Sequence, residues 1–538
     1  MKTKEYDVVI IGAGPNGLIC GAYLARTGLK VALMERRHET GGGLDTLELA
    51  GFKYNPHAIY HLMADIMPPY RDFNLAQRGV KYVFPEVQAS YISTRHKPVV
   101  LYRDPGKTAH YLSANFSAKD GERYTAMYAE FKEFFDEILM PLTYVPAVPA
   151  MEQVPAFEAA RGDVGRRFNE ISEMTPLEIL EERYGFSDPV KAALYNLFAM
   201  WGFSNYDGLG FLFPLYVYRM VNAALVSGGS HRLSSALHKI IIEAGGDICD
   251  LSEVSKVLLA NGRAAGVRLA DGTEVKSKVV ASTVDPKQTF LNFFDEKDIP
   301  ADLVQTAKRW EWEKISLFGM HLSLRKAPKY VGTEGNDDAN RALVTHLGIG
   351  DTEELLKNFQ DMEDGNLTAR PHGHTTVASL FDPIQGHGGF HTGRWESPAP
   401  YDQDWDRIKN DYARQCLETW KEYAPDLDPL DPLNTLVYPP TYIEKKFKNM
   451  VRGSIKHGSY MTLQMGYNRP NDSCSRGYTP IEGFYVCGAG TYPGGMIIAG
   501  PGYLGANIIA EDLGVKKTWE EMKEVTRARE RGFIPDQS

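Results

Sequence analysis

The chain holds only five cysteines in 538 residues, Cys20, Cys249, Cys416, Cys474 and Cys487, with no CxxC pair and no zinc-ligand spacing. That excludes a disulfide framework and a thiolate metal site, and predicts reduced thiols in the cytoplasm. A basic excess is missing too, since 59 Lys plus Arg stand against 69 Asp plus Glu for a net charge of -10. This is the wrong sign for tracking a phosphate backbone and argues against nucleic acid as a partner. No apolar run reaches the ~20 residues of a spanning helix, the main candidate being residues 208–218 between Asp207 and Arg219. Peripheral contact with a membrane stays open. The charged start, residues 1–5, runs straight into a strand-like segment and leaves no room for a secretory signal. Internal repeats, low-complexity tracts and a second dinucleotide fingerprint are likewise absent.

What is present is an ordinary globular composition, 43% apolar and 24% charged, in a chain long enough for two or three subdomains. Residues 6–11 form a β-branched apolar run that stops at Gly12-Ala13-Gly14-Pro15-Asn16-Gly17, and residues 18–26 then have helical composition. Gly28 closes that helix, and residues 30–34 give a second strand ending on Glu35. In such a strand-turn-helix, Gly12 permits the tight turn, Gly14 admits a pyrophosphate to the backbone, and Gly17 lets the helix pack on the strand. Pro15 and Asn16 open the helix, whose unpaired N–H groups and positive dipole end favour a diphosphate, while Glu35 is placed to accept ribose hydroxyls. This predicts a dinucleotide site without separating FAD from NAD.

Two further segments separate them by resemblance. Arg36-Arg37-His38-Glu39-Thr40-Gly41-Gly42-Gly43 follows Glu35, and Gly488-Ala489-Gly490 leads through Pro493-Gly494-Gly495 to a helix-like stretch at 502–513. The first resembles the glycine-doublet motif of the FAD amine oxidase and phytoene desaturase superfamily, and the second resembles its closing FAD motif. The nearest likeness is to the phytoene dehydrogenase-like branch, including the pyridine nucleotide-disulphide oxidoreductase-like subgroup and retinol saturase. Further blocks that carry it are Gly51-Phe52-Lys53-Tyr54-Asn55-Pro56-His57, Gly228-Gly229-Ser230, Gly453-Ser454-Ile455-Lys456-His457-Gly458 and Arg469-Pro470. The resemblance implies FAD, held by Arg36, Arg37, Gly41, Gly42, Gly43, Val254, Thr283, Gly488, Ala489, Met496 and Ile497 besides the first turn. Gly43 departs from the pattern, because many members place a second arginine there.

The implied fold is α/β: a Rossmann-type FAD-binding domain of the glutathione reductase-like, amine oxidase and phytoene desaturase type, with an inserted α+β substrate domain. The FAD domain is expected over 1–70, 225–298 and 474–515, the substrate domain over 71–224 and 299–473, and a charged, solvated helix or tail over 516–538. The turn dipeptides Asn261-Gly262 and Asp271-Gly272 predict a small β-meander. Tyr60, Trp201, Phe203, Tyr206, Phe211 and Phe213 are candidates for an apolar substrate pocket, with helical core as the alternative. His57, His61 and His457 are candidates for moving a proton, with His231 a weaker one, against the alternative of structural histidines. His372, His374, His387 and His391 read as incidental members of a Gly-rich loop, and no metal is assigned.

The resemblance implies hydride transfer between FAD and a carbon–carbon bond of an apolar, alicyclic or isoprenoid-like substrate, in either direction. A separate electron acceptor or donor (a quinone, oxygen or a redox protein) is the expected partner. Amine oxidation, a non-redox flavin-dependent isomerase or hydratase, and a non-catalytic flavin-binding scaffold remain alternatives on the same fold.

Overall fold

A computed structural model describes residues 5–206, 208–430 and 436–535. Two seven-stranded sheets organise it. The chain begins with β1 (Glu5–Ile11), α1 (Pro15–Arg26) and β2 (Val31–Met34), then crosses to β3 (Val87–Tyr91) and β4 (Val99–Tyr102) of the second sheet. Helices follow, among them α2 (Ala118–Phe134), α3 (Asp188–Ala199), α4 (Phe213–Met220) and α5 (His231–Glu243). The chain then returns to the first sheet with β5 (Asp247–Cys249), β6 (Val254–Ala260), β7 (Arg263–Leu269) and β8 (Glu274–Ser282). A second excursion adds β9 (Ile315–Leu324), β10 (Val344–Leu347), β11 (Gly373–Thr376), β12 (His391–Pro400), α6 (Trp405–Tyr423) and β13 (Leu436–Tyr438). The last elements are β14 (Phe484–Val486), α7 (Gly500–Asp512) and α8 (Lys523–Arg531).

The first sheet is a parallel core, β14-β8-β1-β2-β5, extended by the antiparallel ribbon β6-β7-β8. Burial on both faces explains why β2, Val-Ala-Leu-Met, is apolar throughout. The predicted meander is present, with Asn261 and Gly262 both at positive φ in the β6–β7 turn. Helices α1 and α7 pack side by side over this sheet at a glycine: a Cβ on Gly502 would lie 2.4 Å from the Asn16 carbonyl oxygen.

The second sheet has the order β13-β9-β12-β11-β10-β3-β4 and alternates sharply between its faces. One face, carrying Phe318, Met320, Leu322 and Trp395, packs against Trp405, Tyr412 and Trp420 of α6. The opposite face carries His321, His346, His374, Arg394 and Glu396, all buried. The C-terminal segment, expected as a solvated helix or tail, is instead seated in the main core through Trp519, Met522, Val525, Ala528, Phe533 and Ile534. Arg531 pairs with Glu137 beside it, and residues 536–538 lie outside the described residues.

Candidate active site

Three glycine-rich segments converge at the C-terminal ends of the parallel strands. Gly12 lies at φ +95°, and a Cβ on Gly17 would come within 2.0 Å of the Gly12 carbonyl oxygen, so the helix can only approach with glycine there. Gly14, at an ordinary φ of -71°, caps α1 and has no atom within 4 Å of where its Cβ would be. The doublet leans on this turn: Gly41 donates its N–H to the Ala13 carbonyl at 2.8 Å, and a Cβ on Gly42 would sit 3.2 Å from Gly14 Cα. Gly488 is pressed on Thr283, whose carbonyl oxygen would be 2.3 Å from an added Cβ. Glu35 accepts the Ala13 and Arg37 backbone N–H groups, each at 2.9 Å, and so ties the end of β2 to the glycine turn.

One continuous cavity runs from Gly14-Pro15-Asn16 past Gly42-Gly43 and Thr283 to Ala489, Met496 and Ile497. Met496, Ile497 and Ala499 all have positive φ, between 57° and 69°, a strained backbone that non-glycine residues adopt mainly where a site demands it. The far wall is apolar and aromatic, with Tyr60, Trp201, Leu317, Tyr438, Ile443 and Phe447. The Tyr60 and Trp201 rings meet edge to face at 6.1 Å. His57 stands edge-on to Phe447 at 4.7 Å, and its Nε2 is buried without a partner. Burial, helped by the charges of Lys446 and Arg394, pushes the His57 pKa well below the usual 6.5, so its ring is neutral. His457, also in the lining, is held at about 4 by burial and the nearby Arg469 charge, with Nδ1 unpartnered. Glu396 closes the wall, its carboxylate paired with the buried Arg394 guanidinium. Burial pushes the Glu396 pKa up, but the Arg394 charge and contact with His374 outweigh it, and the net shift is downward.

The arrangement fits a flavin dinucleotide. The first turn offers a Cβ-free approach to a helix N-terminus, and the space beyond it continues along the closing loop into an apolar chamber. A limonene dehydrogenase subunit from Castellaniella defragrans is 40% identical to this chain over 551 residues, covering 99% of this chain and 100% of its own. This chain belongs to the phytoene desaturase-like family of flavoprotein oxidoreductases. The rat pyridine nucleotide-disulfide oxidoreductase domain-containing protein 2 is 28% identical, over 95% of this chain and 94% of its own. Carotenoid desaturases stand among the more distant relatives. A putrescine oxidase structure shares the fold, with a TM-score of 0.62 at 14% identity over 95% of this chain and 99% of its own. The Thi4 family matches residues 1–54.

Of the expected cofactor residues, Gly14, Pro15, Asn16, Gly42, Gly43, Thr283, Ala489, Met496 and Ile497 line the cavity of this family member. Gly12, Gly17, Gly41 and Gly488 lie behind it and shape its wall through the close approaches given above. Arg36 donates instead to the Lys446 carbonyl, and Arg37 pairs with Glu39 while lying 4.8 Å over the Phe447 ring. Val254 is buried in the packing between the first sheet and the segment around Phe293. Gly43 has no positive φ, and its Cβ would touch only the Met450 side-chain tip at 3.4 Å, so this site does not itself demand glycine.

Among the expected pocket and proton-transfer residues, Tyr60, Trp201, His57 and His457 reach the cavity and the others do not. His61 is satisfied on both ring nitrogens, by the Tyr82 hydroxyl at 3.1 Å and Ser230 Oγ at 3.3 Å, and holds a β-bridge to Ala224. Both ring nitrogens are thus engaged within the fold, away from the cavity. Phe213 is fully buried between Phe131 and Phe198, and Phe211 packs against the same core, because α4 spends its rings on helix packing. Phe203 and Tyr206 line a separate groove near Lys456 and Leu463. His231 lies outside the cavity at the start of α5. His374 lies within β11 and not in a loop, with His372 in the segment just before the strand, both buried.

Sequence reasoning missed Tyr438, Ile443, Phe447 and Met450, which bring the end of the second excursion over the dinucleotide groove. It also missed Arg394 and Glu396, whose signal was present as alternation along Arg394-Trp395-Glu396-Ser397. Arg469, quoted only as part of a motif, is fully buried and donates to the carbonyls of Lys456, Gln464 and Ala489 at 2.7 to 3.2 Å. It fixes Ala489 from behind.

Proposed function

We propose that this chain is an FAD-dependent dehydrogenase that desaturates a carbon–carbon bond of an alicyclic, isoprenoid-like hydrocarbon. The observation that carries the reading is the continuity of one cavity from the Gly14 turn to the apolar wall of Trp201, Leu317 and Ile443. Bound FAD supplies the hydride acceptor. The chain's own work is to hold a substrate without polar handles, and Tyr60, Trp201, Tyr438 and Phe447 do so by ring and methyl contact. The neutral His57 ring adds no charge of its own to that wall. Water is kept from the reacting carbon by the same wall.

In this reading the dinucleotide is bound by the first sheet with α1, α5 and α7, and the substrate by the second sheet with Tyr60, Trp201 and the 438–447 segment. Electrons leave to a separate acceptor, a quinone, oxygen or a redox protein. The limonene dehydrogenase relative is one subunit of its enzyme, and a second chain is a fitting source of that acceptor. Cys20, Cys416, Cys474 and Cys487 form no disulfide, which suits the cytoplasm. Among the described residues no helix is long and apolar enough to cross a membrane.

The test is anaerobic mixing of the purified yellow holoprotein with limonene, with flavin absorbance followed over time. Bleaching by limonene and not by putrescine is expected. Bleaching by putrescine alone would replace this reading with amine oxidation, and a protein that retains no flavin would remove both.

A further inference from the structure

The cavity-facing side of the second sheet carries a polar row that the desaturase reading leaves unexplained. Strand register sets Tyr438 of β13 beside Gly319 of β9, Gly319 beside Glu396 of β12, Glu396 beside His374 of β11, and His374 beside His346 of β10. All five side chains or positions share one face, because cross-strand neighbours project the same way. Tyr438, Gly319 and Glu396 line the main cavity, whereas His374 and His346 lie beyond it under the helices. The row therefore starts at the substrate wall and leads away from it.

Its two histidines are buried and poorly partnered. His374 and His346 are 2% and 3% exposed, and Nε2 of each has no hydrogen-bond partner. His374 Nε2 stands 3.4 Å from a Glu396 carboxylate oxygen, and the His374 and His346 rings are 5.9 Å apart. A second, small cavity is lined by these two histidines, His372 and Asn196 together with the apolar Met200, Leu347, Ile349 and Phe359. Buried polar groups are almost always satisfied, and a small pocket with room for about one water beside unpartnered ring nitrogens is where an internal water settles. Among the described residues no three His, Cys, Asp or Glu side chains converge as a metal ion requires. The spacing is that of a row and not of a shell.

We propose that Glu396 exchanges the substrate's proton and that His374 and His346, with water between them, carry that proton across the sheet. This rests on the desaturase reading. When a carbon–carbon single bond becomes double, one hydrogen leaves with its electron pair as hydride to the flavin. The other leaves as a proton, and its C–H electrons become the new π bond. Glu396 accepts that proton on a carboxylate oxygen, forming an O–H bond, and passes it to His374 Nε2, which restores the carboxylate. A strong base is not needed, because the neighbouring C–H turns acidic as the hydride departs. Arg394, buried on the same face, keeps Glu396 ionised and lets its negative charge face the carbon that becomes positive. Burial of His374 keeps its ring neutral and ready to accept, with Glu396 opposing that shift and Arg394 reinforcing it. Tyr60, His346 and His372 are the other titratable groups packed around it.

Two arms test the path in the flavin-loaded protein, comparing wild type with Glu396→Gln and His374→Gln. In the first, limonene is mixed anaerobically and bleaching is timed: Glu396→Gln is expected to slow it at least 100-fold and His374→Gln at least 10-fold. Added formate should restore part of the rate to Glu396→Ala, a recovery that a merely structural role would not give. The second arm uses no substrate. Bound flavin is photoreduced, which draws in a proton, and uptake from weakly buffered solution is read with an indicator dye. Uptake slowed at least 10-fold in His374→Gln, with flavin affinity unchanged, supports the path even if limonene bleaches no variant; that outcome sinks the desaturase reading alone. Wild-type uptake in both variants overturns the path, as does equal bleaching of all three proteins by limonene. Should Glu396→Gln not fold, His374→Gln decides.

Discussion

Replacing each glycine of the first turn by alanine separates folding from cofactor binding. Alanine at Gly17 puts its Cβ 2.0 Å from the Gly12 carbonyl oxygen, a backbone atom that cannot swing aside. Overpacking of this kind costs about 1–3 kcal/mol, so apoprotein stability falls. Alanine at Gly14 meets nothing within 4 Å and keeps an ordinary φ of -71°, so the apoprotein is expected to melt where wild type does. Its methyl instead occupies the space that a diphosphate must enter to reach the start of α1. Losing one charge-assisted hydrogen bond there costs about 1.5–3 kcal/mol, roughly a 10- to 100-fold rise in the FAD dissociation constant. The assay pairs thermal denaturation of apoprotein with FAD titration by fluorescence quenching. The reasoning is refuted if Gly14→Ala binds FAD within twofold of wild type, or if it lowers the apoprotein Tm as much as Gly17→Ala does.

Acid should weaken the fold through its buried histidines. His61 and His457, held at about 4 in the folded chain against 6.5 unfolded, contribute stability that is full above 6.5 and is lost as pH falls toward 4, about 3 kcal/mol each. The Tm should drop across that window, less steeply in His61→Gln, and a flat profile would show that these rings are not buried neutral. Truncation after residue 515 removes Trp519, Val525 and Phe533 from the core, each worth about 1.5–3 kcal/mol. The shortened protein should aggregate or melt early, and an unchanged Tm would count against the docked C-terminus. Trp201→Ala should raise the KM for limonene about tenfold through lost ring contact while leaving FAD affinity alone; a parallel loss of FAD would misplace Trp201. Arg469→Lys strands carbonyls that now accept its guanidinium, each at a cost of about 1–3 kcal/mol, and should alter the visible circular dichroism of the flavin as Ala489 shifts.

The nucleotide half of the site was legible because its chemistry is written in adjacent residues. A turn that needs positive φ at Gly12 and contact at Gly17 leaves glycines at fixed spacing, and Glu35 must end the next strand. The substrate half depends on residues far apart in the chain. Ring density between 201 and 218 predicted a pocket, yet only Trp201 of the rings named there reaches it, because Phe213 is consumed by packing against Phe131 and Phe198. His372, His374 and Thr376 alternate as strand residues do, but a polar face turned inward reads like a loop when burial is inferred from hydrophobicity. At the C-terminus, the charge of α8 hid the three-residue spacing of Trp519, Met522, Val525 and Ala528 that seats it.

The first sheet is completed by β14, and α7 then packs against α1. The elements that complete this unit are therefore the last to be made. The strand and helix that frame the Gly12–Gly17 turn leave the ribosome first, while the strand beside β8 and the loop at Met496 emerge near the end. Folding of the N-terminal unit cannot be sealed as it is made, and a prematurely terminated chain carries the glycine turn without the floor of the groove. At the proposed FAD site, flavin uptake would act as a certificate of completion: yellow colour would mark molecules translated through α7, and fragments ending before residue 484 should stay colourless whatever their N-terminal sequence.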